Sequence, residues 1–264
     1  MREESNTVGI PEELARDAAA AILSEHAGIK ALIVIGSVAA GDYMPDSDVD
    51  LVCIIDVRLS VEERHRLRES VPERVQLVIL SREELKGHFE NSTTMAHAIR
   101  KGKVLYEEDG YLRPFFKKET GLPSREWMKQ WFLHWLKFFY LGLHWLEREK
   151  KFHGEFCKER CECSISDDLA RAAVNFSILY LESRGTVPVS KGEIEKGIEG
   201  LVPEGSLRGM NVALKVCHED RAMNYQEALQ VEDSAKWLKE KLIEWLDVSE
   251  SEMAEISKVY QTLT

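Results

Sequence analysis

Hydrophobic and polar positions alternate in two distinct ways along this chain of 264 residues. Up to about residue 110, short continuous apolar runs are separated by charged or Ala-rich stretches. Such runs are typical of strands buried on both faces, and they predict strands at 31–35, 49–55 and 75–80, with a weaker candidate at 104–106. Helices are predicted at 11–27, at 60–69 and after Ser81, where Ser81 and Glu84 form a capping-box sequence.

Beyond about residue 120 the strand signals stop and helical patterns follow one another. Helices are predicted at 124–151, from Ser164 to Gly185, after Ser190, at 206–220, at 226–246 and after Ser249. The turn-rich segment Gly36 to Asp46 separates the first two strands. The whole pattern predicts an α+β fold: a small mixed-sheet domain over residues 1–115, then an all-α helical bundle over residues 120–264.

The strongest candidate for chemistry is the segment between the first two predicted strands. Gly36 and Ser37 follow one apolar run, and Asp48 and Asp50 open the next. A glycine lets the backbone approach an anion closely, and a serine hydroxyl with free backbone N–H groups can cradle phosphate. Two carboxylates spaced two apart on a strand point to the same face, where they can hold Mg²⁺. The spacing therefore predicts a pocket for a metal and a phosphorylated ligand.

The segment resembles the signature of the DNA polymerase β superfamily, a Gly-Ser followed by Ser-Asp-x-Asp-Leu, here Ser47 to Leu51. Within that superfamily it resembles the minimal and the aminoglycoside-modifying nucleotidyltransferases. The resemblance covers roughly residues 15–110, and the helical half resembles the aminoglycoside enzymes more loosely. It implies Mg²⁺-dependent transfer of a nucleoside monophosphate, AMP from ATP, to a hydroxyl. Asp48 and Asp50 would be the catalytic metal ligands, and Gly36, Ser37 and Ser47 would bind the nucleotide.

One departure from the family pattern bears on activity. The resemblance implies a third carboxylate on the strand after Arg74, and the matching residue is Gln76. A neutral amide takes no proton at pH 7 and is a weaker Mg²⁺ ligand. Asp56 lies too far along its strand to replace it, and Glu73 is one position out of phase. Three alternatives stay open: a base from the helical half, weak activity, or a nucleotide-binding or antitoxin-like protein without turnover.

Charge limits the classes of partner. The net charge is −11, with −8 on residues 1–110 and −3 on the remainder, and no basic stripe is visible. Because proteins that grip long nucleic acids use such stripes, a nucleic-acid polymer is disfavoured as substrate, and a small-molecule or protein acceptor is expected. The polar, acidic start and the absence of a long uncharged apolar run predict no membrane segment and a cytoplasmic location.

Two further patterns allow alternative interpretations. His153, Cys157, Cys161 and Cys163 could form a zinc site, although their spacing matches no common zinc module and idle thiols are the simpler interpretation. The aromatic helix at 124–151 is most simply a central bundle helix, and its alternatives are a stacking wall for substrate or a homodimer face.

Overall fold

The computed structural model describes residues 11–45, 47–57, 59–156 and 164–261. The chain divides into two compact units, one comprising residues up to Leu122 together with Val189–Gly192, the other comprising Pro123–Pro188 and the residues from Glu193 onward. No helix in the described ranges is long and apolar enough to cross a membrane. The predicted α+β fold is confirmed.

The first unit contains a four-stranded mixed sheet and its helices. In chain order the elements are α1 (Pro11–Glu25), β1 (Ile29–Ile35), α2 (Gly36–Ala40), β2 (Val49–Ile55), α3 (Val61–Glu69), β3 (Val75–Ser81), α4 (Arg82–Glu90), α5 (Thr94–Lys101), β4 (Lys103–Glu107) and α6 (Arg113–Phe116). The strand order is β3-β2-β1-β4. β2 and β3 are parallel, whereas β1 is antiparallel to both β2 and β4.

Both faces of the two central strands, β1 and β2, are largely buried, as their continuous apolar runs predicted. Leu32 and Val34 of β1 pack with the apolar side of α1 in one core cluster. Ile33 and Ile35 point the other way and pack with α4 and α5 in a second cluster. Successive residues of a strand face opposite sides, so a strand covered on both faces needs an apolar side chain at every position.

The second unit is predominantly helical. Its elements are α7 (Arg125–Phe156), β5 (Ser164–Ile165), α8 (Asp168–Ser183), α9 (Lys191–Ile198, whose first two residues belong to the first unit), α10 (Glu204–His218), β6 (Met223–Asn224), α11 (Tyr225–Leu246) and α12 (Glu250–Gln261). Apolar residues of α7, α8, α10 and α11 form one continuous core.

One expectation for the second half was wrong in detail. Ser164 does not cap a helix: it pairs with Asn224 in the short antiparallel ladder of β5 and β6, and α8 begins after Asp167. The aromatic helix α7 is a central helix of the bundle, as expected: it packs against α8, α11 and α12 and is buried on several sides, though not all round. Phe132 and Phe139 are fully buried, but Trp131 and Trp145 remain 38% and 36% exposed. The helix buries a wide stripe and leaves part of its aromatic surface outside that core.

Candidate active site

The turn that follows β1 is built by glycines at both ends of a short helix. Gly36 has a φ of +68°, α2 continues for five residues, and Gly41 ends it with a φ of +79°. This helix replaces the irregular turn expected there. The buried Val38 joins the first core cluster, and the Ser37 carbonyl accepts hydrogen bonds from the N–H groups of Gly41 and Asp42 at 2.8 and 3.1 Å.

Gly36 lies directly against the carboxylate of Asp50. The antiparallel pairing of β1 and β2 places Ile35 opposite Asp50, one residue from Gly36. A Cβ atom at position 36 would lie 2.5 Å from Asp50 Oδ2, far inside van der Waals contact. Both the positive φ and this close approach therefore require glycine.

Asp48, Asp50 and Gln76 come together at this edge of the sheet. The parallel pairing of β2 and β3 aligns Asp50 with Gln76, so both side chains lie on the same face. Gln76 Nε2 lies 3.4 Å from Asp48 Oδ2, which brings the third side chain into the group. Across the described ranges, no three or more His, Cys, Asp or Glu side chains are grouped so that they could hold a metal ion. Two carboxylates and one amide form the oxygen-donor set here.

The electrostatics of this group suit a cation. Burial, with the neighbouring charge of Asp48 as a second cause, raises the pKa of Asp50 from 3.8 to about 6. A desolvated carboxylate beside another carboxylate is destabilised in its ionised form. A divalent cation would relieve both the repulsion and the lost hydration, and carboxylate oxygens are the ligands that Mg²⁺ prefers. The donor set therefore fits Mg²⁺.

Ser47 lies inside the loop that leads to Asp48. Its side chain is 2% exposed, and its Oγ accepts a hydrogen bond from the Met44 N–H at 2.8 Å. Arg74 supports the same loop from outside, donating through Nη2 to the carbonyls of Pro45 at 2.8 Å and Ser47 at 2.9 Å. Sequence analysis did not single out Arg74, because its partners lie 27 and 29 residues away.

A second contact that the sequence did not reveal joins Asp42 to the segment Val189–Gly192. Ser190 is 5% exposed, and its Oγ donates to Asp42 Oδ2 at 3.0 Å. A Cβ atom at Gly192 would lie 2.6 Å from the same oxygen. The partners are 148 residues apart, so no local pattern could have indicated this contact. The hydrogen bond from Ser190 fixes the side chain of Asp42, the residue that follows α2 and Gly41.

Other candidates do not join this group. Asp56 lies beyond the opposite end of β2, where it accepts a hydrogen bond from the Tyr111 hydroxyl at 2.7 Å. Cys157, Cys161 and Cys163 lie outside the described residues, as does the side chain of His153. The zinc-site alternative there stays a prediction.

Comparisons with known proteins concern the sequence family of residues 18–111 and the overall fold. Residues 18–111 match the family model described as "Polymerase beta, Nucleotidyltransferase". The structure of spectinomycin adenyltransferase AAD(9) from Enterococcus faecialis, with ATP and spectinomycin, is similar with a TM-score of 0.54 at 12% identity, over 88% of this chain and 98% of that one. At this identity the likeness shows the fold alone.

A nucleotidyltransferase-like protein from Exiguobacterium sibiricum 255-15 is also similar, with a TM-score of 0.37 and 14% identity over 94% of this chain and 89% of that one, too low a score to support an argument. No match was found among curated protein sequences. The resemblance to the DNA polymerase β superfamily is confirmed over residues 18–111, the part of the chain that matches the nucleotidyltransferase family model.

Proposed function

We propose that this protein is a Mg²⁺-dependent nucleotidyltransferase that moves AMP from ATP to a hydroxyl of a small molecule or of a protein. The observation that carries the proposal is the convergence of Asp48 and Asp50 beside the Gly36 turn, with Gly36 in contact distance of Asp50. A pair of carboxylates next to a backbone turn that can receive phosphate is the arrangement that nucleotidyl transfer requires.

In this proposal each residue of the segment has a role. Asp48 and Asp50 would hold Mg²⁺, which when bound neutralises phosphate charge and helps to align the triphosphate. Gly36 and Ser37 would receive the triphosphate, because the turn lacks a Cβ atom and Ser37 carries a hydroxyl. Ser47 would contribute by shaping the loop, since its hydroxyl already accepts a hydrogen bond from the backbone.

The reaction replaces the phosphoanhydride bond between the α- and β-phosphates of ATP by a phosphoester bond. The acceptor hydroxyl oxygen forms a bond to the α-phosphorus of ATP, and the bond from that phosphorus to the oxygen bridging to the β-phosphate breaks. Pyrophosphate leaves with the electron pair, and the hydroxyl proton passes to a base. Positioning and charge stabilisation account for most of the catalysis in such transfers.

The acceptor is proposed from chemistry and from the structural relative. AAD(9) was crystallised with ATP and spectinomycin, which makes a small polyhydroxylated acceptor the first class to test. A tyrosine or serine hydroxyl on a protein is the second class. The net charge of −11 does not favour a long nucleic acid as acceptor.

The test is pyrophosphate release from Mg-ATP with a panel of aminocyclitol and aminoglycoside acceptors, together with intact-mass analysis of the protein and co-purifying proteins for the gain of one AMP. We expect release above background with at least one acceptor, and loss of at least about 100-fold in Asp48→Asn. Asp56→Asn is the matched control, because Asp56 follows the same strand but lies at its opposite end. Equal turnover by wild type and Asp48→Asn would refute the assignment.

A second candidate function is nucleotide binding without turnover, and Gln76 is the observation that favours it. Gln76 is aligned with Asp50, where a third carboxylate is expected, and its amide nitrogen lies 3.4 Å from Asp48 Oδ2. A wild-type protein that binds Mg-ATP but releases no pyrophosphate, together with a Gln76→Glu variant that does, would establish this function. Turnover by the wild type that Gln76→Glu leaves unchanged would exclude it.

A further inference from the structure

The second unit contains a cavity of about 650 Å³ that the proposed function does not use. Its lining comes from the start of α7, the end of α8 and the end of α11. The residues that matter for its chemistry are Arg125, Tyr180, Arg184, Lys241, Glu244 and Trp245. Three cations and one carboxylate thus line it, in a chain whose net charge is −11.

Arg125 is held in place by Trp245. Its guanidinium carbon lies 5.7 Å from the centre of the Trp245 ring, within the range of a cation–π contact. Its Nη2 also donates a hydrogen bond to the Trp245 carbonyl. Within the described residues this is the hydrogen bond that Arg125 forms, so the other N–H groups of its fork can serve a ligand.

Arg184 is held in the same manner by Tyr180. Its guanidinium carbon lies 5.2 Å from the Tyr180 ring centre, and its Nη2 lies 3.1 Å from the Tyr180 hydroxyl. Tyr180 is itself 5% exposed and packs edge-on against Trp237, with ring centres 5.4 Å apart. A buried ring therefore fixes the direction of an exposed guanidinium, which lowers the entropy cost of ordering that side chain on binding.

The positive charge of this cavity is only partly neutralised within the described part of the chain. Neither Arg125 nor Arg184 forms an ion pair there, and the one carboxylate of the lining, Glu244, lies 3.8 Å from Lys241. A guanidinium fork matches phosphate oxygens in geometry as well as in charge, and two of them line this cavity. The volume is that of a small-molecule pocket.

We infer that this cavity binds a small oligophosphate, either a free one or the phosphate tail of a nucleotide. A long polyanion is disfavoured, because the acidic chain offers no basic stripe to continue the contact. The inference does not rest on the proposed function, since every lining residue lies in the second unit.

The experiment distinguishes binding in this cavity from binding at the proposed metal site. Tripolyphosphate and ATP are titrated calorimetrically in EDTA into full-length protein carrying Asp48→Asn and Asp50→Asn, so that the proposed metal site makes no contribution. We expect saturable binding of both probes. Equal affinities indicate that the phosphate tail alone is recognised, whereas tighter binding of ATP indicates a nucleotide site. Absence of saturable binding of either probe would overturn the inference.

Substitutions then locate the site. Arg125→Gln and Arg184→Gln are each expected to weaken tripolyphosphate binding about tenfold, as expected for a lost charge-assisted hydrogen bond. Arg208→Gln, which removes the same charge from an exposed position on α10, is the control and should change affinity less than about twofold. Arg184→Lys keeps the charge without the fork and should give an intermediate loss. Two results would contradict the assignment. One is unchanged tripolyphosphate affinity in the variant that carries both Arg125→Gln and Arg184→Gln and keeps the unfolding midpoint of the parent protein. The other is a loss of affinity in Arg208→Gln as large as in the cavity variants.

Discussion

At the scale of single residues, the closest contact of the candidate site joins a backbone turn to a carboxylate. Gly36 has no side chain where a Cβ atom would meet Asp50 Oδ2 at 2.5 Å. Gly41 also has a positive φ, but no atom outside its immediate neighbours lies within 4 Å of its would-be Cβ. Substitution of each glycine in turn therefore distinguishes the free-energy cost of the left-handed backbone from the cost of the close approach to Asp50.

Alanine substitutions should reveal that difference. Gly41→Ala is expected to lower the free energy of unfolding by about 1 kcal/mol, the cost of a left-handed backbone with a Cβ atom. Gly36→Ala is expected to cost about 2–3 kcal/mol, because the steric term adds to the same backbone term. Urea unfolding measures both. In an Asp50→Ala background the excess cost of Gly36→Ala should disappear; an excess that persists would mean that Asp50 is not the group in contact.

The raised pKa of Asp50 has a consequence for stability. Its folded-state value of about 6 lies above the ordinary 3.8, so the folded protein binds this proton more tightly than the unfolded chain does. In metal-free buffer, stability should therefore fall as pH rises from about 4 to 6, and the full penalty, up to about 3 kcal/mol, should be present above that range.

Unfolding curves of wild type and Asp50→Asn between pH 4 and 7.5, in EDTA, measure this dependence. The difference between their free energies of unfolding should grow in favour of Asp50→Asn as pH rises, because the amide does not ionise. Added Mg²⁺ should reduce this difference in free energy of unfolding, because Mg²⁺ that binds the folded wild-type protein stabilises it. A difference that is constant with pH would show that Asp50 titrates normally.

Substitutions of Ser47 and Ser37 distinguish a structural role from direct ligand binding. Its buried hydroxyl accepts from the Met44 N–H at 2.8 Å, so Ser47→Ala leaves that donor without its partner. We expect a loss of about 1–2 kcal/mol in the free energy of unfolding. Ser37→Ala, whose side chain is half-buried in α2, is the comparison and should affect nucleotide affinity more than stability. The reverse ranking would make Ser47 the ligand and Ser37 the structural residue.

At the scale of elements, sequence analysis was most accurate where burial imposes a simple pattern. The strand predicted at 49–55 is β2 with the same bounds, and the predicted strand at 75–80 is extended by one residue in β3. Nearly every position of β2 is buried, and β3 is mostly apolar although its Gln76 is exposed, so both runs stand out from the sequence. The capping sequences at Ser81 and Ser249 also form the expected hydrogen bonds.

Short elements were missed for a physical reason. The helices α2 and α5 contain 5 and 8 residues, and each strand of the β5–β6 pair contains 2. Segments of this length contain about two helical turns at most, or a single strand period, which is too short a pattern to stand out from the sequence. Their stability comes from neighbours that are distant in sequence, such as Asn224, which pairs with Ser164.

The candidate site, like the fold, was predictable where a local pattern determines it and not where it depends on residues distant in sequence. The shared face of Asp48 and Asp50 follows from their spacing alone. The alignment of Gln76 with Asp50 depends on the register between β2 and β3, and the Arg74 contacts depend on a loop 27 residues earlier in the chain. Local sequence patterns carry no information about such pairings, so only the resemblance indicated the position of Gln76.

The packing of α10 against α11 gives a test of the bundle. A Cβ atom at Gly209 would lie 2.1 Å from both the Gln230 carbonyl oxygen and Ser234 Oγ. Gly209→Ala is therefore expected to destabilise the protein by at least about 3 kcal/mol, because backbone atoms of a packed helix cannot move aside cheaply. Chemical denaturation followed by circular dichroism measures this.

Gly205 is the matched control, because it lies on the same helix with no atom within 4 Å of its would-be Cβ. Gly205→Ala is expected to leave stability unchanged or raise it by about 0.5 kcal/mol through helix propensity. Similar stabilities of the two variants would contradict the close packing of α10 on α11.

At the scale of the whole molecule, two units carry different chemistry. The first contains the acidic group of Asp48 and Asp50, and the second contains the basic cavity of Arg125 and Arg184. Separate sites of opposite charge in a chain of net charge −11 suit a small anionic nucleotide better than a nucleic-acid strand. The possible homodimer and the cytoplasmic location stay predictions.

The most direct test of the central claim, that Asp48 and Asp50 form the Mg²⁺-nucleotide site, is calorimetric titration of a non-hydrolysable ATP analogue with and without Mg²⁺. It is performed in protein carrying Arg125→Gln and Arg184→Gln, so that the second cavity does not contribute. We predict binding that strengthens at least about tenfold with Mg²⁺ and loses this gain in Asp48→Asn and Asp50→Asn, but not in Asp56→Asn. Affinity independent of Mg²⁺, or a gain that survives both substitutions, would contradict the account.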